Sequence, residues 1–371
     1  MDLIEVKEGQ TAFFVPVQDE SHPFPPKSTP IFYNPRMELS RDATVLLVTL
    51  LKPRHYLDAM GATGVRGLRV ANECGIPVTI NDRSREAADL IEKNRTRANL
   101  PLEVTCEDVN VLLSDRRFDT VDIDPFGSPA FFLDAAARSA WRYLFVTATD
   151  TAPLCGAHLR AGMRRYAAVP RNTEYHQEVG LRILLGFVAR ETVKYDRGIE
   201  PIFSFAREHF VRLHLRLQNG ASAADRTVDR LGYVLQCPDC PCREEVSGLL
   251  PEQRKCGNCG KELLPIGPLW LGRISDAEIL AEMHNLIGSM PLGKARALDP
   301  LLTLCRDELE TASFYDYHAL AKYWGVSPPP IGHVLERLRE EGFRATRTHF
   351  SGTGIKTDAS LKAIHRALRP G

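Results

Sequence analysis

Short apolar runs alternate with amphipathic segments along the chain from about residue 55 to residue 147. The apolar runs predict strands at residues 55–58, 78–80, 102–106, 120–123 and 143–147. Between them, residues 64–74, 85–98 and 129–140 place apolar side chains at the helical period. Strands and helices that alternate in this way predict an α/β fold, a parallel sheet with helices on both faces.

The segments on either side of this region are less regular. Prolines cluster between Phe13 and Pro35 and predict an irregular segment, after which Ser40 is placed to cap a helix over residues 44–51. Downstream, the sequence predicts a helix at residues 174–194 and strands at residues 203–206 and 210–217. The small and polar residues 218–226 predict a linker.

The strand predicted at residues 210–217 has one basic face. Arg212, His214 and Arg216 alternate with apolar residues, which is the pattern of a half-buried strand. The basic face fits a solvated antiparallel edge, which is the favoured interpretation, or a surface that binds RNA.

The last third of the chain predicts a winged helix. Helices at residues 316–324 and 331–341 flank a proline-rich turn, and a hairpin with its tip at Gly352 and Gly354 follows. Cations are frequent here and suit either RNA phosphates or a protein-docking surface. They are Arg337, Arg339, Arg344, Arg347, Lys356, Lys362, Arg366 and Arg369. With the cysteine-rich stretch before this region, the predicted domains are residues 1–220, 221–270 and 271–371.

Composition narrows the class of protein. The chain has 371 residues, 44% hydrophobic and 25% charged, which excludes a disordered chain and a disulfide-stabilised mini-protein. Lysine and arginine (47) balance aspartate and glutamate (47), so a nucleic-acid site would have to come from local patches. The sequence has no apolar run long enough to span a bilayer and no targeting pattern at its start, so we expect a cytoplasmic protein that does not act at a membrane.

A glycine-rich turn follows the first predicted strand. Asp58 ends that strand, Gly61 lies in the turn, and Asp82 ends the second strand about twenty residues later. Glycines let a backbone approach a ligand closely, and an acid at the next strand end can accept hydrogen bonds from ribose hydroxyls. The pattern indicates an adenosine-containing ligand, and both a dinucleotide and S-adenosylmethionine (SAM) fit it. Asp108, after the third strand, suits either the adenine amino group or a helix N-cap.

The string 120–129, TVDIDPFGSP, contains the sharpest chemical signal. Asp122 and Asp124 are two residues apart at the end of a strand, so a continuing strand would point both to one face. Phe126 offers a ring on which a flat base can stack. The segment resembles the D/N-P-P-Y/F motif of SAM-dependent methyltransferases that act on exocyclic amines of bases, although Phe126 and Gly127 stand where that motif has proline and an aromatic residue. The competing interpretation is a turn that starts a helix.

Cys237, Cys240, Cys256 and Cys259 form two C-x₂-C pairs separated by fifteen residues. This spacing is typical of a zinc ribbon, in which four thiolates hold a structural Zn²⁺. Cys242 could replace Cys240 as a ligand.

Longer strings resemble one family, the tRNA (guanine(26)-N(2))-dimethyltransferases, from about Lys7 to the C-terminus. The strings are FYNPRMELSRD (32–42), DIDPFGSP (122–129), TATDTAP (147–153), EYHQEVGLR (174–182) and GPLW (267–270). The resemblance implies a class I SAM-dependent methyltransferase domain, Rossmann-like, followed by a zinc ribbon and a winged-helix-like region. It also implies methylation of the N2 amine of a guanosine in tRNA, giving N2-methyl- and N2,N2-dimethylguanosine, with no obligatory protein partner evident.

The resemblance also implies roles for individual residues. The SAM contacts that it implies are Arg36, Arg66, Asp82, Asp108 and Val109, beside Asp58 and Gly61 in the turn. The implied catalytic acid is Asp124, with Asp122 near it and Phe126 beside the base. Two alternatives stay open. Asp150 could share the pocket or cap a turn at residues 151–152, and Arg36 could instead pair with Glu38 or Asp42.

Three rival functions remain at this point. They are a nicotinamide-dependent dehydrogenase, an amino-methyltransferase of DNA or of other RNA, and a non-catalytic zinc-ribbon nucleic-acid binder. The DPF segment argues against the first, and the intact acids of the turn argue against the third.

Overall fold

The structure is a computed structural model that describes residues 2–17, 31–251 and 253–369. The chain forms two compact units. Unit 1 comprises Met1–Pro125, Phe131–Thr147 and Glu278–Leu302, and unit 2 comprises Phe126–Ala130, Ala148–Ala277 and Thr303–Gly371. In the described part of the chain, no helix is long and apolar enough to cross a membrane.

The strands and helices are numbered along the chain. The strands are β1 (Leu3–Glu8), β2 (Thr11–Pro16), β3 (Tyr56–Asp58), β4 (Val78–Asn81), β5 (Glu103–Thr105), β6 (Phe118–Ile123), β7 (Ala140–Ala148), β8 (Arg197–Arg207), β9 (Phe210–Asn219), β10 (Leu231–Gln236), β11 (Arg243–Ser247), β12 (Leu264–Trp270), β13 (Tyr315–Asp316), β14 (Ala345–Arg347) and β15 (Gly354–Thr357). The helices are α1 (Glu38–Leu51), α2 (Val65–Cys74), α3 (Arg85–Ala98), α4 (Val109–Asp115), α5 (Leu133–Ser139), α6 (Thr151–Leu154), α7 (Leu159–Tyr166), α8 (His176–Val193), α9 (Ala221–Val228), α10 (Ala277–Leu286), α11 (Ala295–Asp307), α12 (Tyr317–Trp324), α13 (Ile331–Glu340) and α14 (Leu361–Leu368).

Unit 1 contains the predicted parallel sheet, so the α/β class is confirmed. Its strands lie in the order β5-β4-β3-β6-β7, and each neighbouring pair is parallel. The chain therefore starts in the middle of this sheet and builds outward in both directions. At the central pair, Asp58 of β3 lies opposite Asp122 of β6. The carboxyl ends of the two strands thus bring together two of the predicted site residues.

Local signals account for the elements that were predicted well. Ser84 accepts a hydrogen bond from the backbone N–H of Ala87 and caps α3, and Asn99 ends the helix in a left-handed conformation. The helix occupies residues 85–98, as predicted. Polar N-caps and left-handed C-caps satisfy backbone groups that the helix leaves unpaired, so they fix both ends.

Unit 2 is built from antiparallel strands and helices. Strands β8 and β9 form a hairpin, and β11, β10 and β12 form a three-stranded sheet in that order. The chain's last sheet has the order β13-β15-β14 and packs with α12, α13 and α14 around one apolar core. Helices α12 and α13 therefore occur where the sequence predicts them. The hairpin follows them, with Gly352 in its loop, but Gly354, which was predicted at the tip, begins β15.

Two predictions near the N-terminus are wrong. Helix α1 begins at Glu38, so Ser40 is a buried residue inside the helix and does not cap it. The proline-rich segment is regular at its start, because β2 runs to Pro16 and pairs with β1, an edge position that tolerates proline. A short 3₁₀ turn covers Pro35–Met37, and residues 18–30 lie outside the described residues.

The predicted linker and the predicted basic face are also wrong. Residues 218–226 complete β9 and begin α9, which the alanines favour and which buries Ala223 and Ala224. On β9, Arg212 and His214 are fully buried, so neither a solvated edge nor an RNA-binding face describes them. His214 lies 2.9 Å from the carbonyl oxygen of Phe203 and stacks on its ring. Arg216 alone stays partly exposed, near Glu200.

A buried network of charges crosses unit 2. The Nζ of Lys356 on β15 lies 2.5 Å from Glu178 Oε1 on α8 and 3.1 Å from Glu308 Oε1. Arg182 donates to the same Glu178 oxygen at 2.8 Å, and His349 Nδ1 lies 2.6 Å from Glu308 Oε2. Burial alone would raise the pKa of Glu308, but Lys356 and His349 bring that pKa well below its usual range. Two buried carboxylates, Glu178 and Glu308, are therefore paired with the basic groups of Lys356, Arg182 and His349.

Lys356 was counted among the cations that suit RNA phosphates, and that prediction is wrong. Its side chain is fully buried and ion-paired. Other members of the set are partly engaged as well. Arg339 donates to the carbonyl oxygen of Ala345, and Arg337 donates to that of Ala367.

We expect Lys356→Met to lower the free energy of unfolding by roughly 3–5 kcal/mol, because it leaves two buried carboxylates without their ammonium. Urea denaturation measures this loss. Lys362→Met, on the exposed side of α14, is the matched control and should change stability by less than about 0.5 kcal/mol. The double variant Lys356→Met/Glu308→Gln should recover part of the loss. Equal stability of Lys356→Met and the control would contradict the role of the network.

Candidate active site

The carboxyl edge of the parallel sheet gathers acids around one buried arginine. Arg66, in the first turn of α2, pairs with Asp124 Oδ2 through Nη2, and its Nε lies 3.9 Å from Asp122 Oδ2. Asp58 lies beside the same guanidinium, and its Oδ2 accepts a 2.9 Å hydrogen bond from the backbone N–H of Gly67. The prediction that Asp122 and Asp124 face the same way is confirmed, since both approach Arg66.

Neighbouring hydroxyl groups fix this arrangement. Thr44 on α1 accepts from Arg66 Nη1 at 3.0 Å, and the phenol of Tyr56 on β3 donates to Asp122 Oδ2. Asp122 is fully buried, whereas 22% of the Asp124 side chain is exposed. Of the two acids, Asp124 is therefore the one that can meet a substrate.

Burial dominates the electrostatics of the site. It raises the pKa of Asp58 to about 7, with Asp122 and Asp124 adding to the rise and Arg66 opposing it. Burial by itself lowers the pKa of Arg66, but the carboxylates of Asp124 and Asp122 reverse this and raise it. The guanidinium is thus a permanent charge, while Asp58 changes its ionisation near neutral pH.

The glycines of the turn are required by close packing and by backbone conformation. A Cβ on Gly61 would lie 2.4 Å from Ile80 Cγ2, and one on Gly67 would lie 2.5 Å from Ile80 Cγ1. Gly64 has φ +81°. Ala62, which the sequence did not single out, also has a positive φ of 50°. Strained residues of this kind cluster where a loop is shaped for a ligand.

The other predicted cofactor residues lie on neighbouring segments of unit 1. Asp82 follows β4 and receives hydrogen bonds from the N–H groups of Ala62 and Ser84, both at 2.9 Å, so it holds the glycine turn. Asp108 caps α4 through the N–H of Asn110, as its alternative interpretation predicts, and the buried Val109 begins that helix.

Arg36 is exposed in the 3₁₀ turn before α1. Its alternative ion-pair partners are engaged elsewhere. Glu38 pairs with Lys294 and Asp42 pairs with Arg69. The surface ion pairs proposed for Arg36 are therefore not formed.

The loop that carries Phe126 is held within unit 2. Gly127 and Thr149 exchange two hydrogen bonds: the Gly127 N–H donates to Thr149 Oγ1 at 2.8 Å, and the Thr149 N–H donates to the Gly127 carbonyl at 3.0 Å. Ser128 Oγ lies 2.8 Å from the hydroxyl of Tyr166. Gly127 has φ +93°, which a side chain would strain. These bonds fix the loop, while Phe126 on it stays 72% exposed.

Asp150 anchors this loop, and its predicted capping role is wrong. Its Oδ1 accepts from the Tyr166 hydroxyl at 2.5 Å, and its Oδ2 accepts from Arg165 at 2.9 Å. The side chain makes no capping bond to α6. Asp150 belongs to unit 2, whereas Asp124 belongs to unit 1.

Four cysteine thiols of unit 2 converge. Cys237 Sγ lies 3.4 Å from Cys259 Sγ, and Cys240 Sγ lies 3.5 Å from Cys256 Sγ. All four sulfur atoms lie within 4.8 Å of one another, and Cys242 is not part of this group. None of the four forms a disulfide.

Several residues of the site carry no signal in the sequence. Thr44, Tyr56 and Tyr166 reach their partners across 22, 66 and 38 positions, respectively. No motif includes them, and their types are common in a core. The sequence points to them only indirectly, through a predicted residue such as Asp150 for which two roles were possible.

Comparisons with known proteins find one family over nearly the whole chain. The sequence model of a family described as N2,N2-dimethylguanosine tRNA methyltransferase matches residues 9–369. A relative from Methanoregula boonei, named tRNA (guanine(26)-N(2))-dimethyltransferase, is 62% identical over 100% of this chain and 99% of its own. One of the same name from Methanosarcina mazei is 44% identical over 98% and 97%.

A solved structure is similar over nearly the whole chain. It is Trm1 from Pyrococcus horikoshii in complex with S-adenosyl-L-methionine. The TM-score is 0.90 at 37% sequence identity, with 99% of this chain and 100% of that chain covered.

The raised pKa of Asp58 predicts a pH-dependent stability. An acid whose pKa is higher in the folded state than the usual 3.8 stabilises the fold at low pH, and that contribution is lost as the pH rises through about 7. The stability of the wild type relative to Asp58→Asn should therefore fall between pH 5 and pH 8 in the ligand-free protein. Urea denaturation at both pH values measures the difference. Asp89→Asn, at an exposed position on α3, is the control. A wild-type advantage over Asp58→Asn that is the same at both pH values would argue against this ionisation.

Proposed function

The chain belongs to the N2,N2-dimethylguanosine tRNA methyltransferase family, and on that basis we propose how its residues carry out the reaction. The enzyme transfers methyl groups from SAM to the exocyclic N2 amine of a guanosine in tRNA, at position 26, giving N2-methyl- and N2,N2-dimethylguanosine. This activity replaces the rival interpretations as a dehydrogenase, a DNA methyltransferase or a non-catalytic binder. The observation that supports the assignment of Asp124 as the residue that meets the guanine amine is its partial exposure, together with its ion pair to the buried Arg66.

The residues at the sheet edge fit SAM. When bound, SAM supplies a methyl group on a positively charged sulfur, which is a good leaving group. The shaped turn from Gly61 to Gly67, with its strained Ala62, offers backbone N–H groups at the start of α2. Asp82 is half-buried at the next strand end, so its remaining lone pairs can accept from ribose hydroxyls. Arg36, Asp108 and Val109 are proposed contacts on the same unit.

Asp124 is the proposed acceptor for the amine. The lone pair of an exocyclic amine is delocalised into the base, so the protein must orient it and accept charge as the N–C bond forms. Arg66 holds Asp124 Oδ2, which leaves Oδ1 to accept from the guanine N2–H. After transfer the nitrogen is cationic, and its proton passes to Asp124 directly or through water. The second methylation needs the amine to rotate, with one N–H left to hold.

The neighbouring groups position Asp124 and the base. Asp122 is buried and hydrogen-bonded by Tyr56, so its role is to hold Arg66 rather than to meet the substrate. Phe126 is the proposed stacking surface for guanine, since stacking on an aromatic ring contributes about 1–3 kcal/mol per base. Only Pro125 separates it from Asp124 in the chain, and the bonds at Gly127 and Ser128 keep its loop in place.

Nucleoside mass spectrometry tests the activity and the role of Asp124. Unmodified tRNA incubated with the enzyme and SAM should gain N2-methyl- and N2,N2-dimethylguanosine. Asp124→Asn should lower the single-turnover rate by roughly 10²–10⁴-fold, the range for a positioned acid–base group. SAM affinity should stay nearly normal, because the proposed cofactor contacts are intact.

The matched controls are Asp122→Asn and Asp150→Asn. Asp122→Asn should act indirectly through Arg66, and Asp150→Asn should act through the Phe126 loop. Near-normal chemistry in Asp124→Asn, with a loss of 10²-fold or more in either control, would reassign the proton acceptor.

The four converging thiols are the proposed ligands of a structural Zn²⁺. Tetrahedral Zn–S bonds of about 2.3 Å place sulfur atoms about 3.8 Å apart, and the closest pairs here are separated by 3.4 and 3.5 Å. Cys237 and Cys240 follow β10, whose sheet with β11 and β12 completes the proposed zinc ribbon. Four thiolates leave no open position for a substrate, so the metal would stabilise the fold.

We expect one zinc per chain by elemental analysis, and its loss in Cys256→Ser. A structural zinc contributes about 10–16 kcal/mol of apparent binding free energy in small modules, so this variant should unfold the module and weaken tRNA binding while SAM binding survives. Cys106→Ser, at an exposed cysteine of unit 1, is the control and should keep the metal. Zinc-free wild-type protein that retains its full stability would show that the thiols do not form a metal site.

The remaining assignments stay predictions. The winged-helix-like region is proposed to contribute to tRNA binding through exposed cations such as Arg347 and Lys362. We also propose domains at residues 1–220, 221–270 and 271–371, a cytoplasmic location and activity without an obligatory protein partner.

A further inference from the structure

Helix α7 presents an unusual outer face in unit 2. Leu159, Arg160, Met163 and Arg164 occupy this face at the spacing of successive helical turns. The two arginines are exposed, and 41% of Leu159 and 43% of Met163 are accessible as well. We refer to these four residues as the α7 outer face.

The opposite side of the helix fixes its orientation. Gly162 packs so closely that a Cβ would lie 2.6 Å from the carbonyl oxygen of Pro153. Tyr166, one turn later, is fully buried against Phe187 in an edge-to-face contact. The helix therefore cannot rotate to bury its arginines without losing this packing.

The positive charge of the segment is compensated only in part. The 23 residues from Thr151 to Thr173 contain four arginines and no aspartate or glutamate. Arg165 pairs with Asp150, and Arg171 donates to the carbonyl oxygen of Pro265. Within the described part of the chain, Arg160 and Arg164 have no ion-pair partner.

Helix stability explains only one of the two arginines. Cations in the last turn of a helix interact favourably with its dipole, which accounts for Arg164. Arg160 lies in the first turn, where the dipole disfavours a cation. An external anion would compensate both charges, and exposed apolar side chains between them suit the ribose and base surfaces of RNA better than a free ion.

The inner side of α7 contacts the loop that carries the proposed stacking ring. The Tyr166 hydroxyl lies 2.8 Å from Ser128 Oγ and donates to Asp150, and Ser128 follows Phe126 by two residues. One short helix thus joins an exposed cationic face to the Phe126 loop within the same unit.

We propose that the α7 outer face binds the phosphate backbone of the substrate tRNA beside the guanosine that is methylated. The proposal rests on the proposed function, because it assigns a docking surface for that substrate. Arg160 and Arg164 track phosphates, and Tyr166 keeps the helix in register with the Phe126 loop. The predicted winged-helix-like region would then not be the sole tRNA contact of the protein.

The test is the full-length double variant Arg160→Gln/Arg164→Gln, compared with Arg230→Gln, which removes an exposed arginine elsewhere in unit 2. The slope of the logarithm of the tRNA association constant against the logarithm of the salt concentration should decrease in magnitude by about 1.4–1.8. Each lost phosphate contact contributes about 0.7–0.9 to this decrease, and the variant loses two. KM for tRNA should rise, whereas kcat at saturating tRNA and SAM affinity should stay within about twofold of the wild type. Arg230→Gln should leave all four quantities unchanged.

The outcomes separate this proposal from the proposed function. If the wild type forms dimethylguanosine but the double variant keeps the wild-type salt slope and KM, the α7 outer face does not bind tRNA. A slope that falls equally in Arg230→Gln would indicate a general charge effect and would also overturn the assignment. If the wild type itself methylates no tRNA while it binds SAM, the proposed function fails. The salt slope of the double variant still reports on RNA binding in that case.

Discussion

The buried guanidinium of Arg66 is the constraint on which the catalytic edge depends. A permanent cation removed from water must be paired, and the sheet supplies Asp122 and Asp124 for this purpose. The same cation opposes the burial that raises the pKa of Asp58. Asp124 is therefore fixed from two sides, by the exit of β6 and by the charge that it neutralises. The Oδ1 atom of Asp124 is therefore oriented before any substrate binds.

Unit 2 also contains buried charges, and it pairs them through a different set of residues. There, Lys356, Glu178 and Glu308 form a balanced interior network that joins α8 to the last hairpin of the chain. Within the residues that the structure describes, Arg160 and Arg164 on α7 have no ion-pair partner, and their exposed side chains can be reached by an external polyanion. A chain with no net charge thus separates its cations into those that hold the fold and those that are available to RNA.

The sequence predicts those parts whose cause is local. The individual strands and helices of the β/α alternation, the bounds of α3, the glycine turn and the two C-x₂-C pairs all follow from patterns within about 25 residues. It fails where the partner is distant. His214 and Lys356 have the spacing of surface residues, yet both are buried, because their partners come from other segments. Alternation distinguishes the two faces of a strand, but it does not show that a neighbouring element covers the polar face. Tyr56 and Tyr166 escape prediction for the same reason.

The Glu178–Lys356 pair also has a consequence for synthesis of the chain. The two residues are 178 positions apart, and the ribosome completes Glu178 first. At about 5–20 residues per second, roughly 10–40 seconds pass before the lysine is added. During that interval, the only cation of this network that has been synthesised next to Glu178 is Arg182, which lies on the same helix. The nascent α8 therefore cannot bury this carboxylate in its final environment until the end of translation, so docking of the last hairpin completes unit 2.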